Sequence, residues 1–505
     1  MSFVEKAISP DPCFFTDVFW EDRAMRFDRL KTLFFAMSLS CLPFSALAGA
    51  PKFDRLPTGQ PSQTPFIAWH EDLGKKGYAE EEYLARGEAN VYEYVRAGDP
   101  AVQVRTPSVP YVTRVLVRYP TNRAKFNGTV YVEVLNATAG WDGDPTWQAA
   151  ADYLMRSGAA WVGVSTKPVT VDFLRDRWGR DKYPARDVNR YASLSMPHFG
   201  QVWDMMTDVG KWLRTSGETS NPLNQYAVKR LFMVGFSQSV AYQVTYANSF
   251  HAGARMPDGR SVYDGYYLGA GGSRAKDVTA ATPQTESLGE GDPRNLIRVE
   301  APVVRLQTQT EVIGFGSYRV RQADKDFPMV RTYEVAGGSH VDAHLDEVGG
   351  IALARDLGLP PSFCPKPDAA YNPVRTGFYQ AAALEILDRW SRGTAPPASR
   401  LYSLTEDGSK TVMAKDAVGN VVGGVRPPEL EAPRGRYLES NSGPGFCRLY
   451  GGFVPFGPEK LREMYPTPGA FAAAFDTAIT RAVKDRFLLP EDASLLRSTR
   501  PATLD

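Results

Sequence analysis

The run Arg230-Leu231-Phe232-Met233-Val234-Gly235-Phe236-Ser237-Gln238-Ser239 constrains this chain most, because an apolar, strand-like segment breaks at Gly-x-Ser and continues as helix-compatible sequence. Such a junction holds a serine at the carboxyl end of a strand. Its hydroxyl is pushed into open space and the following backbone N–H groups aim at the same point. Ser237 is therefore the expected nucleophile. The fifth position of the common Gly-x-Ser-x-Gly pattern is Ser239 here, and the close approach of helix and strand requires a small residue there. A serine in an ordinary strand-to-helix loop would look the same from these residues alone.

The flanking sequence alternates between two periodicities. Residues 91–95, 111–119 and 129–135 are rich in Val and Tyr and bounded by Gly, Pro and Asn, so they read as strands. Trp147, Ala150, Ala151, Tyr153 and Leu154 have helical spacing, and residues 160–165 form an apolar run suited to a buried parallel strand. Residues 202–213 and 240–250 read as helices, 231–234, 263–268, 302–308 and 331–335 as strands, and 371–390 as a long helix. This alternation predicts an α/β fold with a mostly parallel central sheet and helices on both faces. Ligands on such sheets sit beyond the strands' carboxyl ends, where Ser237 falls.

Two stretches interrupt the pattern. Residues 166–197 carry several arginines and aromatics, residues 271–295 are polar and rich in Gly, Thr and Pro, and both are expected to be loops or lids inserted over the site. A catalytic domain is expected over residues 49–397. Residues 398–505, with a turn-rich segment at 419–428 and a final helix at 468–486, are expected to form an extension packed on it.

Lys and Arg number 58 against 57 Asp and Glu, a net charge of +1. That balance excludes a dedicated nucleic-acid binder, which would show a clustered basic excess, and favours a small-molecule substrate. Residues 1–48 read as a leader and signal peptide: Arg26, Arg29 and Lys31 precede an apolar run over 33–47 that closes on Ala46-Leu47-Ala48. That run is too short to span a bilayer comfortably. The acidic residues before Met25 do not suit a signal, so translation is expected to begin at Met25, and N-terminal sequencing of exported protein checks this. A soluble periplasmic or secreted protein without a membrane span is expected. Removing the signal takes away Cys13 and Cys41 and leaves Cys364 and Cys447. An even pair in an oxidising compartment points to one disulfide, worth roughly 4 kcal/mol by chain entropy. Two unlinked buried thiols are the alternative.

A serine hydroxyl needs a base, and the base needs a carboxylate to orient it. Of the five histidines, His340 follows the strand at 331–335 in the Gly-rich loop Ala336-Gly337-Gly338-Ser339-His340. Glu311 comes just past the strand at 302–308, with Asp324 and Asp326 as later alternatives. The order Ser237, Glu311, His340 is nucleophile, acid, histidine. Oxyanion donors are expected from the N–H of Gln238 and from Asn136 or Ala137 in the loop after residues 129–135. His340 and His344, four apart, could instead be metal ligands on one helical face, but Gly337-Gly338 disfavours a helix there. His198 is expected to be structural. Trp141, Trp147, Phe173 and Trp178 read either as a substrate pocket or as plain core. No cofactor and no metal are expected.

With this order established, the chain resembles the α/β-hydrolase superfamily. More narrowly, it resembles a family of large bacterial exported proteins known as alpha/beta hydrolase domain proteins. The resemblance runs from about Gly77 to the end. It rests on Gly235-Phe236-Ser237-Gln238-Ser239, Gln309-Thr310-Glu311, Ala336-Gly337-Gly338-Ser339-His340, the Gly419-Asn420 to Gly423-Gly424-Val425-Arg426 segment, Cys447 and Tyr465-Pro466. It implies hydrolysis of a small-molecule carboxylic ester by a Ser237-His340-Glu311 triad. The same residues would also serve a peptidase, an acyltransferase, or a non-catalytic carbohydrate- or partner-binding protein on a hydrolase scaffold.

Overall fold

The computed structural model describes residues 50–180, 182–278 and 287–501. The expected leader and signal peptide, with Cys13 and Cys41, lie outside these residues. In chain order the elements that position the site are β1 (Lys52–Arg55), β2 (Tyr78–Tyr94), β3 (Val102–Pro120), β4 (Thr129–Val134), α1 (Pro145–Ser157), β5 (Ala160–Val164) and α2 (Pro168–Asp176). They continue with α3 (Val202–Arg214), β6 (Arg230–Phe236), α4 (Gln238–Ser249), β7 (Gly265–Gly269), β8 (Val303–Thr308), β9 (Val330–Val335), α5 (Ala343–Ala352) and α6 (Thr376–Ser391).

Strands β4 to β9 are short, and nearly every residue in them is buried. Sequence that faces no solvent on either side must be covered on both faces, and that is why these strands run parallel with helical crossovers. The sheet order is β1-β2-β3-β5-β4-β6-β7-β8-β9. From β4 the chain steps to β5 on one side and then crosses back to β6 on the other, with both neighbours parallel to β4. The winding direction therefore reverses between β4 and β6, and the crevice at their carboxyl ends is where such sheets bind ligands.

β2 and β3 form an antiparallel hairpin far longer than residues 91–95 and 111–119 suggest. The strand signal of its inner half is masked by charge. Glu80 and Glu82 are paired with the buried Arg118 and Arg114, with Arg118 Nε 2.7 Å from Glu80 Oε2. The helix expected from Tyr371 starts instead at Thr376, because Tyr371 pairs with Gly452 in a short strand and Pro373 follows. The described residues of 166–197 are more than loop. They contain α2, and they bury Val171, Phe173, Trp178, Tyr191, Leu194 and Met196 in the core. Residues beyond 397 extend the sheet edge: Ala336 N–H donates to Val425 O at 2.8 Å, and Val335 bridges Val425. Ser45–Asp505 is one compact unit. Among the described residues no helix is long and apolar enough to cross a membrane.

Candidate active site

Four parallel strands deliver the candidate residues to one rim of the sheet. β6 ends at Phe236 and is followed by Ser237, β8 ends three residues before Glu311, β9 ends five residues before His340, and β4 leads into Asn136 and Ala137. Ser237 has φ 57° and ψ −122°, a left-handed conformation that a non-glycine residue adopts only where the surroundings enforce it. Its N–H donates to Gly269 O at 2.8 Å. Gly235 makes the turn sterically feasible, since a Cβ there would lie 2.9 Å from Gln243 Oε1 and 3.0 Å from Ser239 Cβ.

His340 Nδ1 lies 2.6 Å from Glu311 Oε1. The other carboxylate oxygen of Glu311 accepts from Thr308 N–H at 2.5 Å and Thr308 Oγ1 at 2.7 Å. Because a carboxylate oxygen can only accept, the 2.6 Å contact places a ring proton on Nδ1 and turns Nε2 away from Glu311. The loop that carries His340 is sewn to the turn after β8. Thr310 Oγ1 accepts from His340 N–H at 3.1 Å, and Gln309 Oε1 accepts from Gly337 N–H at 2.5 Å. Gly337 has φ 72°, and a Cβ on it would meet Leu430 Cδ1 at 2.1 Å, so this position requires glycine. The imidazole is flanked by Phe236 and Phe315, with ring centroids 5.1 and 5.4 Å away.

Ser237 and His340 line the same cavity, of about 180 Å³. Its walls are mostly apolar, with Phe66, Trp141, Leu345, Phe363, Phe446 and Tyr450 prominent. Of the four aromatics singled out in the sequence only Trp141 lines it. Trp147, Phe173 and Trp178 are buried core, and Trp147 lies under the Arg118 guanidinium at 4.8 Å. No described residue of 166–197 or 271–295 lines the cavity. Part of its wall comes instead from two segments joined by the disulfide Cys364–Cys447, whose Cα atoms are 4.6 Å apart. Phe363, Phe446, Leu449 and Tyr450 flank these cysteines, and Leu449 O accepts from Val341 N–H at 3.0 Å, next to His340.

The oxyanion candidates separate. Asn136 is corrected as a backbone donor: its N–H donates to Gly143 O at 2.8 Å and is not left for a substrate, while one hydrogen of its side-chain amide donates to Phe236 O at 3.0 Å. The N–H groups of Ala137 and Gln238 have no partner among the described residues. Asp324 serves elsewhere, accepting from Ser399 N–H at 2.9 Å, and Asp326 is exposed. His344 lies on α5, which begins after His340, so the two share no helical face, and its Nε2 lies 2.8 Å from Arg375. His198 Nδ1 accepts from Gly200 N–H at 3.0 Å, a capping role. The sequence reading missed the cavity wall from Phe446 to Tyr450, which no local pattern marks. It also missed the fully buried Lys167, whose only signal is its place two residues after the apolar run at 160–165.

A mostly parallel sheet with a strand-serine-helix turn at its switch point is the α/β-hydrolase fold. The profile of the alpha/beta hydrolase domain family matches residues 50–498, and the chain belongs to that family. No curated protein matches it. Among solved structures it is similar to a putative carboxylesterase from Lactobacillus plantarum at 14% identity, covering 44% of this chain and 81% of that one, with a TM-score of 0.28. It is also similar to an α/β serine hydrolase without lid from Xanthomonas campestris (13% identity, 44% and 78% covered, TM-score 0.26). A thermostable esterase from Pseudomonas putida matches at 13% identity, with 53% and 75% covered and a TM-score of 0.30. Likenesses at this level say nothing of substrate.

Proposed function

We propose that this hydrolase is an exported serine esterase that cleaves carboxylic esters through an acyl-enzyme. The observation that carries the reading is an imidazole bonded through Nδ1 to a carboxylate, on the wall of the cavity that also holds a backbone-strained serine. In this reading Ser237 Oγ attacks the ester carbonyl while His340 Nε2 takes its proton. The Gln238 and Ala137 N–H groups stabilise the oxyanion, whose collapse breaks the bond to the alcohol oxygen, and His340 returns the proton to the leaving alcohol. Water then attacks the acyl-Ser237 ester by the same path. Glu311 fixes the ring and balances the imidazolium charge. The apolar walls suit an uncharged acyl group with hydrocarbon or aromatic character.

The disulfide supports export, since such bonds persist in oxidising compartments. Ser237→Ala should reduce p-nitrophenyl ester turnover by at least about 10⁴-fold and abolish labelling by a fluorophosphonate probe. Unchanged turnover in that variant would refute the mechanism.

A further inference from the structure

Lys167 is wholly buried at the start of α2. Its ammonium donates to the carbonyl of Leu135, lies 3.2 Å from Ser239 Oγ, and sits 4.9 Å above the ring of Tyr242. Ser239 Oγ in turn lies 3.3 Å from Leu135 O. Three polar atoms thus close a triangle between the end of β4 and the first turn of α4. Burying an ammonium costs several kcal/mol unless its protons are engaged, and a methionine would fill the same space without that cost. The carboxylates of Asp142 and Glu133 offset part of the penalty, yet burial dominates and pushes the ammonium down to about 7. A group held at such a cost calls for a role beyond filling volume.

The two segments that this triangle joins are those carrying the free N–H groups. Leu135 stands two residues before Ala137, and Ser239 follows Gln238 directly. We propose that Lys167 and Ser239 are positioning residues, a clamp that fixes the spacing of the Ala137 and Gln238 N–H groups. The inference rests on the ester-hydrolase reading above. Oxyanion donors act only within about 2.7–3.1 Å of the developing charge, so the two loops must be held at a set separation before substrate arrives. The clamp also accounts for serine at the fifth position of the elbow. Glycine there would strip the ammonium of its second acceptor and leave α4 untied from the loop after β4.

The test compares Lys167→Met, Ser239→Gly and the double variant on p-nitrophenyl acetate, with fluorophosphonate labelling in parallel. Lys167→Met should lower kcat about 100-fold, as expected for misplacement on the ångström scale, with KM within about threefold and labelling slowed in step. Ser239→Gly should lower kcat about tenfold, and the double variant should be no slower than Lys167→Met alone, because one clamp can be lost only once. A kcat for Lys167→Met within about threefold of the parent, a loss confined to KM, or losses that multiply in the double variant would overturn the clamp. If Lys167→Met does not fold, Ser239→Gly and Ser239→Ala decide, and full kcat in both overturns the clamp. Ser237→Ala separates the two readings. An active Ser237→Ala removes the esterase and the clamp together, whereas an inactive one beside an unaltered Lys167→Met removes the clamp alone.

Discussion

Replacing both Cys364 and Cys447 by alanine should lower both stability and substrate affinity. The bond spans 83 residues, and chain entropy assigns a loop of that length about 4.5 kcal/mol of stabilisation through the unfolded state. Unfolding entropy of roughly 2.1 cal/mol/K per residue, summed over residues 50–501, gives roughly 0.9 kcal/mol/K, so the loss corresponds to a Tm about 5 °C lower. The site should respond as well. Phe363, Phe446, Leu449 and Tyr450 lose their common anchor, Val341 depends on Leu449 for its backbone bond, and Asp346 receives the Tyr450 hydroxyl at 2.6 Å. KM for an apolar ester should therefore rise several-fold while kcat falls less. Differential scanning fluorimetry and initial rates on the double variant, with the parent treated with dithiothreitol alongside, read both effects. A Tm within about 1 °C of the parent together with an unchanged KM would refute the reasoning, because neither loop closure nor wall anchoring would then depend on the bond.

Glu311→Gln should cut kcat about 10³–10⁴-fold with KM little changed, since an amide cannot hold the imidazolium as the carboxylate does. Retention of more than about a tenth of kcat would remove Glu311 from the mechanism. Lys167 gives a pH signature in stability. Its ammonium is pushed down to about 7 in the fold, so between pH 7 and its ordinary value near 10.5 the unfolded chain binds the extra proton and the folded protein gains stability as pH rises. Lys167→Met should accordingly be favoured over the parent most below pH 7, by up to about 5 kcal/mol, with the gap closing towards pH 10. Denaturation curves at pH 6, 8 and 10 measure it, and a gap independent of pH would show that the lysine is not desolvated as described.

The parallel strands were legible because burial on both faces leaves each a short apolar run bracketed by turn residues, as in residues 231–234 and 302–308. Ser237, Glu311 and His340 could be read for a related reason: each follows such a run within five residues, in the order the fold requires. The long hairpin was only half legible. Glu80, Glu82, Arg114 and Arg118 look like surface charge until pairing across two strands is seen. The choice between Asn136 and Ala137 depended on where one N–H goes, a question only the turn to Gly143 answers. The wall from Phe446 to Tyr450 and the Lys167–Ser239 contact join residues far apart along the chain, and neither periodicity nor local motif encodes such meetings.

The position of that wall along the chain has a consequence for biosynthesis. Ribosomes deliver the proposed triad of Ser237, Glu311 and His340 by residue 340, but the part of the cavity wall from Phe446 to Tyr450 is translated about a hundred residues later and is tied in by the Cys364–Cys447 bond. On the proposed mechanism, a nascent or prematurely terminated polypeptide would carry the triad beside a cavity that still lacks this part of its wall.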